Sequence, residues 1–153
     1  HRIEEVTPEY WDERMATNLR HQFFAVQATL DDLRAAGEGG AVVNMGSVSW
    51  RVLSGGMPAY VSAKAAVEGL TRGLARDLGP DGIRVNCVVP GWIMTERQRQ
   101  LWVTPEAERD LLAKQCLKRT LMPEDVARVV VFLASRGAGG MTGQAVVVDG
   151  GWT

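Results

Sequence analysis

Tyr60 and Lys64 stand at positions i and i+4 of a predicted helix, and Ser47 comes before them in the chain. On an α-helix such positions share one face and are separated by about 6 Å of rise. A lysine ammonium beside a phenol favours the phenolate, so Tyr60 could act as a general base near neutral pH. With a serine hydroxyl nearby, this set could move a proton while a hydride leaves or arrives.

The spacing of Tyr60 and Lys64 alone is equally consistent with a solvated lysine on a helix surface. The surrounding residues favour the chemical interpretation. Residues 41–47 read as a short apolar strand that ends in a glycine and a hydroxyl, and residues 54–58 then break the chain. We therefore expect the serine at the carboxyl end of a strand and the Tyr/Lys pair in the first turns of the next helix. Ligands of open α/β sheets bind at that end of the strands.

The remaining segments alternate between helical and strand patterns. They comprise a long helix over residues 8–36, a helix over 58–78, a strand over 83–89, a variable segment over 92–121 with a helical middle, a helix from 123 to about 135, and a strand over 144–149. This alternation indicates βαβ units and a parallel sheet, hence an α/β fold. Three strands leave such a sheet short of neighbours, and the chain begins with His1. We therefore expect the later part of a longer chain.

Composition excludes several classes of protein. The chain has 153 residues, of which 46% are hydrophobic and 23% charged, with a net charge of −1. These values are those of a globular domain and argue against a nucleic-acid partner. No apolar stretch is long enough to predict a membrane span, and no signal peptide is recognised. Cys87 and Cys116 lack metal-ligand spacing, so we expect no metal site, Cys87 in the core, and a reduced, cytoplasmic protein.

Several short segments carry a family pattern. They are Asn18-Leu19, Asn44-Met45-Gly46-Ser47-Val48-Ser49, Tyr60-Val61-Ser62-Ala63-Lys64, Ile83-Arg84-Val85-Asn86, Pro90-Gly91 with Thr95, and Asp149-Gly150-Gly151. This pattern covers nearly the whole chain and resembles the short-chain dehydrogenase/reductase family. The resemblance implies the C-terminal part of a doubly wound, parallel-sheet, Rossmann-like domain over residues 1–153. It also implies NAD or NADP as cofactor and a homodimer or homotetramer.

The resemblance assigns roles to particular residues. The catalytic set would be Asn18, Ser47, Tyr60 and Lys64. The nicotinamide half of the cofactor would contact Tyr60, Lys64, Pro90, Gly91, Trp92, Ile93 and Thr95. Substrate contacts are expected from residues that neighbour the reacting groups in sequence, namely Ser47, Ser49, Trp50, Met57, Tyr60 and Trp92.

Plainer roles remain open for several of these residues. Ser47 could satisfy its own turn, and Asn18 could face solvent from the middle of a helix. Thr95 could cap the next helix, which is compatible with contacting the cofactor. Tryptophans are more often core or interface residues than sugar-stacking ones, and Trp152 is expected at a subunit contact.

A narrower resemblance is to bacterial aldose dehydrogenases of the same family. It rests on residues 6–14, 18–24, 90–98 and 115–118. It implies NAD(P)-dependent oxidation of the anomeric carbon of a D-xylose, L-arabinose or D-galactose-type sugar to a lactone, with Tyr60 as base. The alternatives are a keto (3-oxoacyl-type) reductase of this family and a catalytically incompetent half-domain that acts only as an interaction module.

One part of the family pattern is missing. The family begins with a strand and a glycine-rich turn that cradles the cofactor pyrophosphate at a helix N-terminus. Residues 37–40 are glycine-rich, but they precede a strand and read as a helix stop. The sequence thus predicts the catalytic and nicotinamide side of the site without the adenosine side.

Overall fold

The computed structural model describes residues 2–153 and contains a parallel sheet of strands β1 (Ala41–Met45), β2 (Arg84–Pro90) and β3 (Ala145–Val148), in that order. Ala41 pairs with Arg84, and Cys87 pairs with Ala145. The central strand β2 is buried at every residue except Pro90, as expected for an apolar strand covered on both faces. The α/β class predicted from the sequence is confirmed.

Helices surround this sheet. Their bounds are α1 Pro8–Met15, a π-helical segment Ala16–Arg20, α2 His21–Ala28, α3 Leu30–Ala35, α4 Pro58–Leu78, α5 Glu96–Leu101, α6 Pro105–Lys114 and α7 Pro123–Ala134. Short 3₁₀ turns cover Ile3–Glu5, Gly37–Gly39, Val48–Trp50, Gly79–Asp81 and Arg136–Ala138. Apart from the first helix, the predicted elements are present within a few residues of their expected bounds.

The helix predicted over residues 8–36 is continuous as far as Ala28, with a π-helical segment inside it, and then breaks at Thr29 before α3. Side chains compete with the helix for its carbonyl groups. Thr17 Oγ1 donates to Glu13 O at 2.7 Å, and Asn18 Nδ2 donates to Arg14 O at 2.9 Å. Thr29 Oγ1 likewise donates to Ala25 O at 3.0 Å, where α2 gives way to α3. Such side-chain bonds to the carbonyl four residues back loosen and bend helices.

Alternating residues of β2 face two different layers. Val85 packs with Leu74 and Val26 beneath α4 and α2, while Val88 packs with Val126 and Leu133 beneath α7. The sheet is therefore covered by helices on both faces, as the period-two alternation of a strand requires.

A third cluster of buried side chains lies beneath the carboxyl ends of β1 and β2. It consists of Val48, Val67, Cys87 and Val89. Cys87 is fully buried, which confirms the expectation of a core cysteine. Burial raises the pKa of its thiol to about 11, so the thiol stays neutral at ordinary pH.

Residues 2–153 lack two kinds of feature. Among residues 2–153, no helix combines the length and apolar character that crossing a membrane demands. Within the same residues, no group of histidine, cysteine, aspartate or glutamate side chains is arranged to hold a metal ion.

Candidate active site

A hollow of about 470 Å³ opens where β1 and β2 end. Several residues expected at the site from the sequence line it: Ser47, Ser49, Met57, Tyr60, Gly91 and Trp92. Ser47 follows β1, Gly91 follows β2, and Tyr60 lies in the first turn of α4. The hollow therefore lies at the carboxyl edge of the sheet, where open α/β folds bind their ligands.

Ser47 ends the first strand in extended conformation, and its Oγ accepts a hydrogen bond from Ser49 N at 3.2 Å. This bond begins the 3₁₀ turn Val48–Trp50, so the turn role considered for Ser47 is present. Ser49 Oγ is buried without a hydrogen-bond partner among residues 2–153. A buried hydroxyl normally has a partner, so this one marks a place for a polar ligand atom.

Lys64 lies against the ring of Tyr60, one turn further along α4. Its Nζ is 5.8 Å from the centre of that ring and donates to Met45 O at 3.0 Å. The side chain is only 9% exposed, and this burial lowers the pKa of the ammonium, against a smaller opposing effect of Cys87. The structure thus brings Ser47, Tyr60 and Lys64 together, with the lysine behind the tyrosine instead of on the wall of the hollow.

Asn18 lies in the π-helical segment rather than on the hollow. Its side-chain amide donates to Arg14 O, and its own carbonyl accepts from Gln22 Nε2 at 2.9 Å. The neighbouring Leu19 packs on the cluster beneath the hollow. Asn18 is therefore a partly buried residue whose side-chain amide bonds to its own helix.

The segment after β2 is held by local hydrogen bonds. Thr95 Oγ1 accepts from Gln98 N at 3.2 Å and caps α5, while Trp92 Nε1 donates to Gln98 Oε1 at 2.8 Å. Ile93 forms an isolated bridge with Leu121. At Gly91 a Cβ would lie 2.8 Å from Asp149 Cα, so only glycine fits this close approach. Both roles considered for Thr95 stay open, because the hydroxyl that accepts from Gln98 N can still donate its proton to a ligand.

Two tryptophans have contacts that the sequence did not predict. Trp50 Nε1 donates to Glu68 Oε1 at 3.2 Å, and Arg51 pairs with the same carboxylate at 2.8 Å, so Trp50 is directed to α4 and not to the hollow. Trp152 lines the hollow and packs on the cluster beneath it, a place that the sequence did not predict, and the subunit contact expected for it stays a prediction.

Sequence reasoning missed Gln98 and Trp102, which also line the hollow. Gln98 sits one turn into α5 and is linked to the wall through Trp92. The pattern Thr95-x-x-Gln98 is typical of a helix N-terminus and is the kind of local feature from which Gln98 could have been predicted. Trp102 follows α5 in the variable segment, and no local pattern points to it.

The polar side chains at the hollow suit the nicotinamide half of NAD(P). The phenol of Tyr60 and the unpaired hydroxyl of Ser49 line one hollow beside Gly91, and the buried ammonium of Lys64 lies behind the phenol. The adenosine half finds no such match among residues 2–153, since β1, β2 and β3 run into Gly46-Ser47, Pro90-Gly91 and Gly150-Gly151 and not into a glycine-rich turn that opens a helix.

Comparison with known proteins gives a consistent set of relatives. Residues 1–153 match the family model described as enoyl-(acyl carrier protein) reductase. The chain is 50% identical over 152 residues to D-xylose 1-dehydrogenase of Caulobacter vibrioides, covering 99% of this chain and 60% of that protein. It is 47% identical over 149 residues to a probable galactose dehydrogenase of Rhizobium meliloti, covering 97% of this chain and 58% of that protein.

A solved structure shows the same architecture. The 3-oxoacyl-[acyl-carrier protein] reductase of Brucella melitensis superposes with a TM-score of 0.88 at 32% identity, over 100% of this chain and 57% of that one. The chain thus spans about three fifths of the length of the relatives that it matches.

Proposed function

We propose that this chain, which belongs to the short-chain dehydrogenase/reductase family, carries the proton-transfer and nicotinamide-binding part of an NAD- or NADP-dependent aldose 1-dehydrogenase. The reaction is oxidation of the anomeric carbon of a sugar to a lactone. The observation that carries the proposal is the convergence of Ser47 and Tyr60 on one hollow, with the Lys64 ammonium against the tyrosine ring.

Each side chain has a separate task in this reaction. Tyr60 takes the proton from the anomeric hydroxyl as its general base, and Ser47 holds the same oxygen as charge shifts onto it. Lys64 supplies a positive charge behind the tyrosine ring, 5.8 Å from its centre. The nicotinamide, when bound, supplies the hydride acceptor. Residues 90–95 hold its carboxamide, and Asn18 helps to pass the proton on to solvent.

The lining of the hollow supports a sugar as substrate. Trp92, Trp102 and Trp152 offer indole faces that suit the C–H surfaces of a pyranose ring, and Ser49 offers a buried hydroxyl for a sugar hydroxyl. The two sugar dehydrogenases among the relatives agree with this assignment.

Replacing Tyr60 by phenylalanine tests the mechanism. Loss of the general base should reduce turnover of aldose by about 10²–10⁴-fold, while the fold is retained because only one oxygen is removed. Tyr10→Phe is the matched control, since it makes the same chemical change at the other tyrosine, on α1. Near-normal turnover in Tyr60→Phe, with sugar and cofactor saturating, would rule out the proposed mechanism.

The second candidate is a keto reductase of the same family, which the likeness to the Brucella melitensis enzyme favours. Steady-state rates with D-xylose, D-galactose and a 3-oxoacyl thioester separate the two, because the proposal expects turnover of the sugars and none of the thioester.

The third candidate is a half-domain without catalysis. Titration of the chain with NADH and NADPH, followed by nicotinamide fluorescence, distinguishes it, because this candidate predicts no saturable binding. Sedimentation of the same sample tests the expected homodimer or homotetramer.

A further inference from the structure

Gln22 is a buried side chain that the catalytic set does not include. It lies in α2, one turn after Asn18, and is only 8% exposed. Its Oε1 accepts from Met45 N at 3.0 Å, and its Nε2 donates to Asn18 O at 2.9 Å. The same Nε2 lies 3.5 Å from Met45 O. A single amide thus connects the π-helical segment to the end of β1.

Met45 is the residue on which two side chains meet. It is the last residue of β1, and the neighbouring Gly46 N donates to Val88 O across the sheet. Since alternate residues of a parallel strand bond to the same neighbour, the N–H and carbonyl of Met45 point away from β2. Gln22 takes the N–H, and Lys64 Nζ takes the carbonyl at 3.0 Å.

We propose that Gln22 is a positioning residue, which contacts both the N–H and the carbonyl of Met45 and so fixes the carbonyl that holds the Lys64 ammonium behind Tyr60. The inference rests on the proposed function for the task of Lys64. Gln22 itself touches neither the hollow nor the phenol, and it acts through the strand. The amide of Gln22 also bonds to the carbonyl of Asn18, so the two members of the catalytic set that lie outside the hollow, Asn18 and Lys64, are both positioned by Gln22.

The titratable groups that pack around Lys64 are few. Tyr60 lies on the same helix, and Cys87 on β2 is a neutral thiol at ordinary pH. Glu68, one turn further along α4, is paired with Arg51. The reactivity of the Lys64 amine therefore reports mainly on its burial and on the carbonyl that holds it.

Competitive acylation measures this reactivity without requiring turnover. The lysines of the sequence are Lys64, Lys114 and Lys118, and Lys114 is exposed on α6, so it serves as an internal reference. A short pulse of acetic anhydride over a series of pH values, followed by mass spectrometry, gives the rate at Lys64 relative to Lys114. Only the neutral amine reacts, so both release and deprotonation of Lys64 raise this ratio.

Two substitutions at position 22 should move the ratio in opposite directions. Gln22→Met keeps the length but releases the N–H and the carbonyl of Met45, so the ratio should rise by about fivefold, the equivalent of one net hydrogen bond. Gln22→Glu keeps an acceptor for Met45 N and places a negative charge near the carbonyl that the ammonium also contacts. It should therefore lower the ratio and move the Lys64 midpoint to higher pH.

Thr71→Val is the matched control, because Thr71 Oγ1 accepts from Asn44 Nδ2 at 2.9 Å and so also joins a helix to β1. In Thr71→Val the acylation rate at Lys64 relative to Lys114 should stay at the wild-type value. A ratio unchanged by both Gln22 variants, or one that rises in both, would overturn the proposal. If the chain binds cofactor but neither Gln22 variant changes the Lys64 ratio, the positioning role of Gln22 is refuted and the proposed function is not. If the variants shift the ratio but the chain has no dehydrogenase activity, only the proposed function is refuted.

Discussion

Lys64 carries a charge in a place that disfavours it. Its side chain is 9% exposed, and burial lowers its pKa, so the folded protein binds the proton less well than the unfolded chain does. Such a group destabilises the fold, and a residue retained at that cost is one expected at a functional site.

Replacing Lys64 by methionine should therefore stabilise the protein near neutral pH while it abolishes turnover. Methionine keeps the length and the apolar stem of the side chain but removes the charge, and burial of its thioether is favourable. Urea unfolding near pH 7 should show a higher midpoint than wild type. Lys114→Met, at an exposed position of α6, should leave the midpoint unchanged.

The advantage of Lys64→Met should shrink as the pH rises. Between the lowered pKa of the folded state and the ordinary value of 10.5, the unfolded wild type binds more protons, so wild-type stability increases with pH. The two midpoints should converge as that upper value is approached. A midpoint of Lys64→Met below wild type near pH 7 would show that the bond to Met45 outweighs the cost of burial.

The site residues whose position in the fold could be predicted from the sequence are those placed by local pattern. Tyr60 and Lys64 follow from helix periodicity, and Ser47 from the end of an apolar strand. Gln22 and Trp152 could not be found in this way, because one bonds to Met45 on β1 and the other approaches the hollow from the end of the chain. Their roles depend on tertiary contacts that no local pattern encodes.

At the scale of the elements, α7 ends on a buried guanidinium. Arg84, at the start of β2, is 8% exposed and donates to Leu133 O at 2.7 Å and to Ser135 O at 3.0 Å. It also lies 3.4 Å from Ala134 O. The last carbonyls of a helix lack partners within the helix and carry its negative dipole end, so a cation there is favourable.

Arg84→Met should lower the free energy of unfolding by about 2–3 kcal/mol, because it removes charge-assisted bonds and leaves buried carbonyls unpaired. Urea denaturation monitored by circular dichroism measures the loss, and hydrogen exchange should locate it in α7. The free energy of unfolding of Arg84→Lys should lie between those of wild type and Arg84→Met, since a single ammonium cannot bond to all of these carbonyls. Arg128→Met, an exposed change on the same helix, is the control, and an equal loss in both would contradict the argument.

The boundaries of helices and strands were predicted well where a proline or glycine sets them. They were predicted poorly where side-chain hydrogen bonds set them. Pro58 and Pro123 stand at the first positions of α4 and α7, as their fixed backbone angle favours. The long first helix was predicted as continuous because its apolar residues keep helical spacing. The bonds of Thr17 and Asn18 to helix carbonyls lie where it becomes π-helical, and periodicity contains no information about them.

At the scale of the whole molecule, the end of the chain is tied to the functional hollow through Asp149. This carboxylate is 5% exposed, and it accepts from Gly151 N, Thr153 N and Thr153 Oγ1, each at 2.8 Å. Burial opposes its ionisation, but these bonds outweigh burial and lower its pKa. The turn that they form places Trp152 against the hollow, so the site depends on the last residues described.

The sign of this linkage gives a pH prediction. A lowered carboxyl pKa contributes stability that is complete above the ordinary value of 3.8 and is lost as the pH falls through the folded value. Asp149→Asn should lower the free energy of unfolding by about 1–3 kcal/mol near neutral pH, because the amide cannot accept all three bonds. Its stability should also decline less steeply than that of wild type on acidification below about pH 4, since it has no proton to take up. Urea midpoints over this range measure both effects, with Asp32→Asn on α3 as an exposed control. If the stability of Asp149→Asn falls as steeply on acidification as that of wild type, other carboxylates cause the loss. The hydrogen bonds of Asp149 would then hold the end of the chain without coupling its stability to protons.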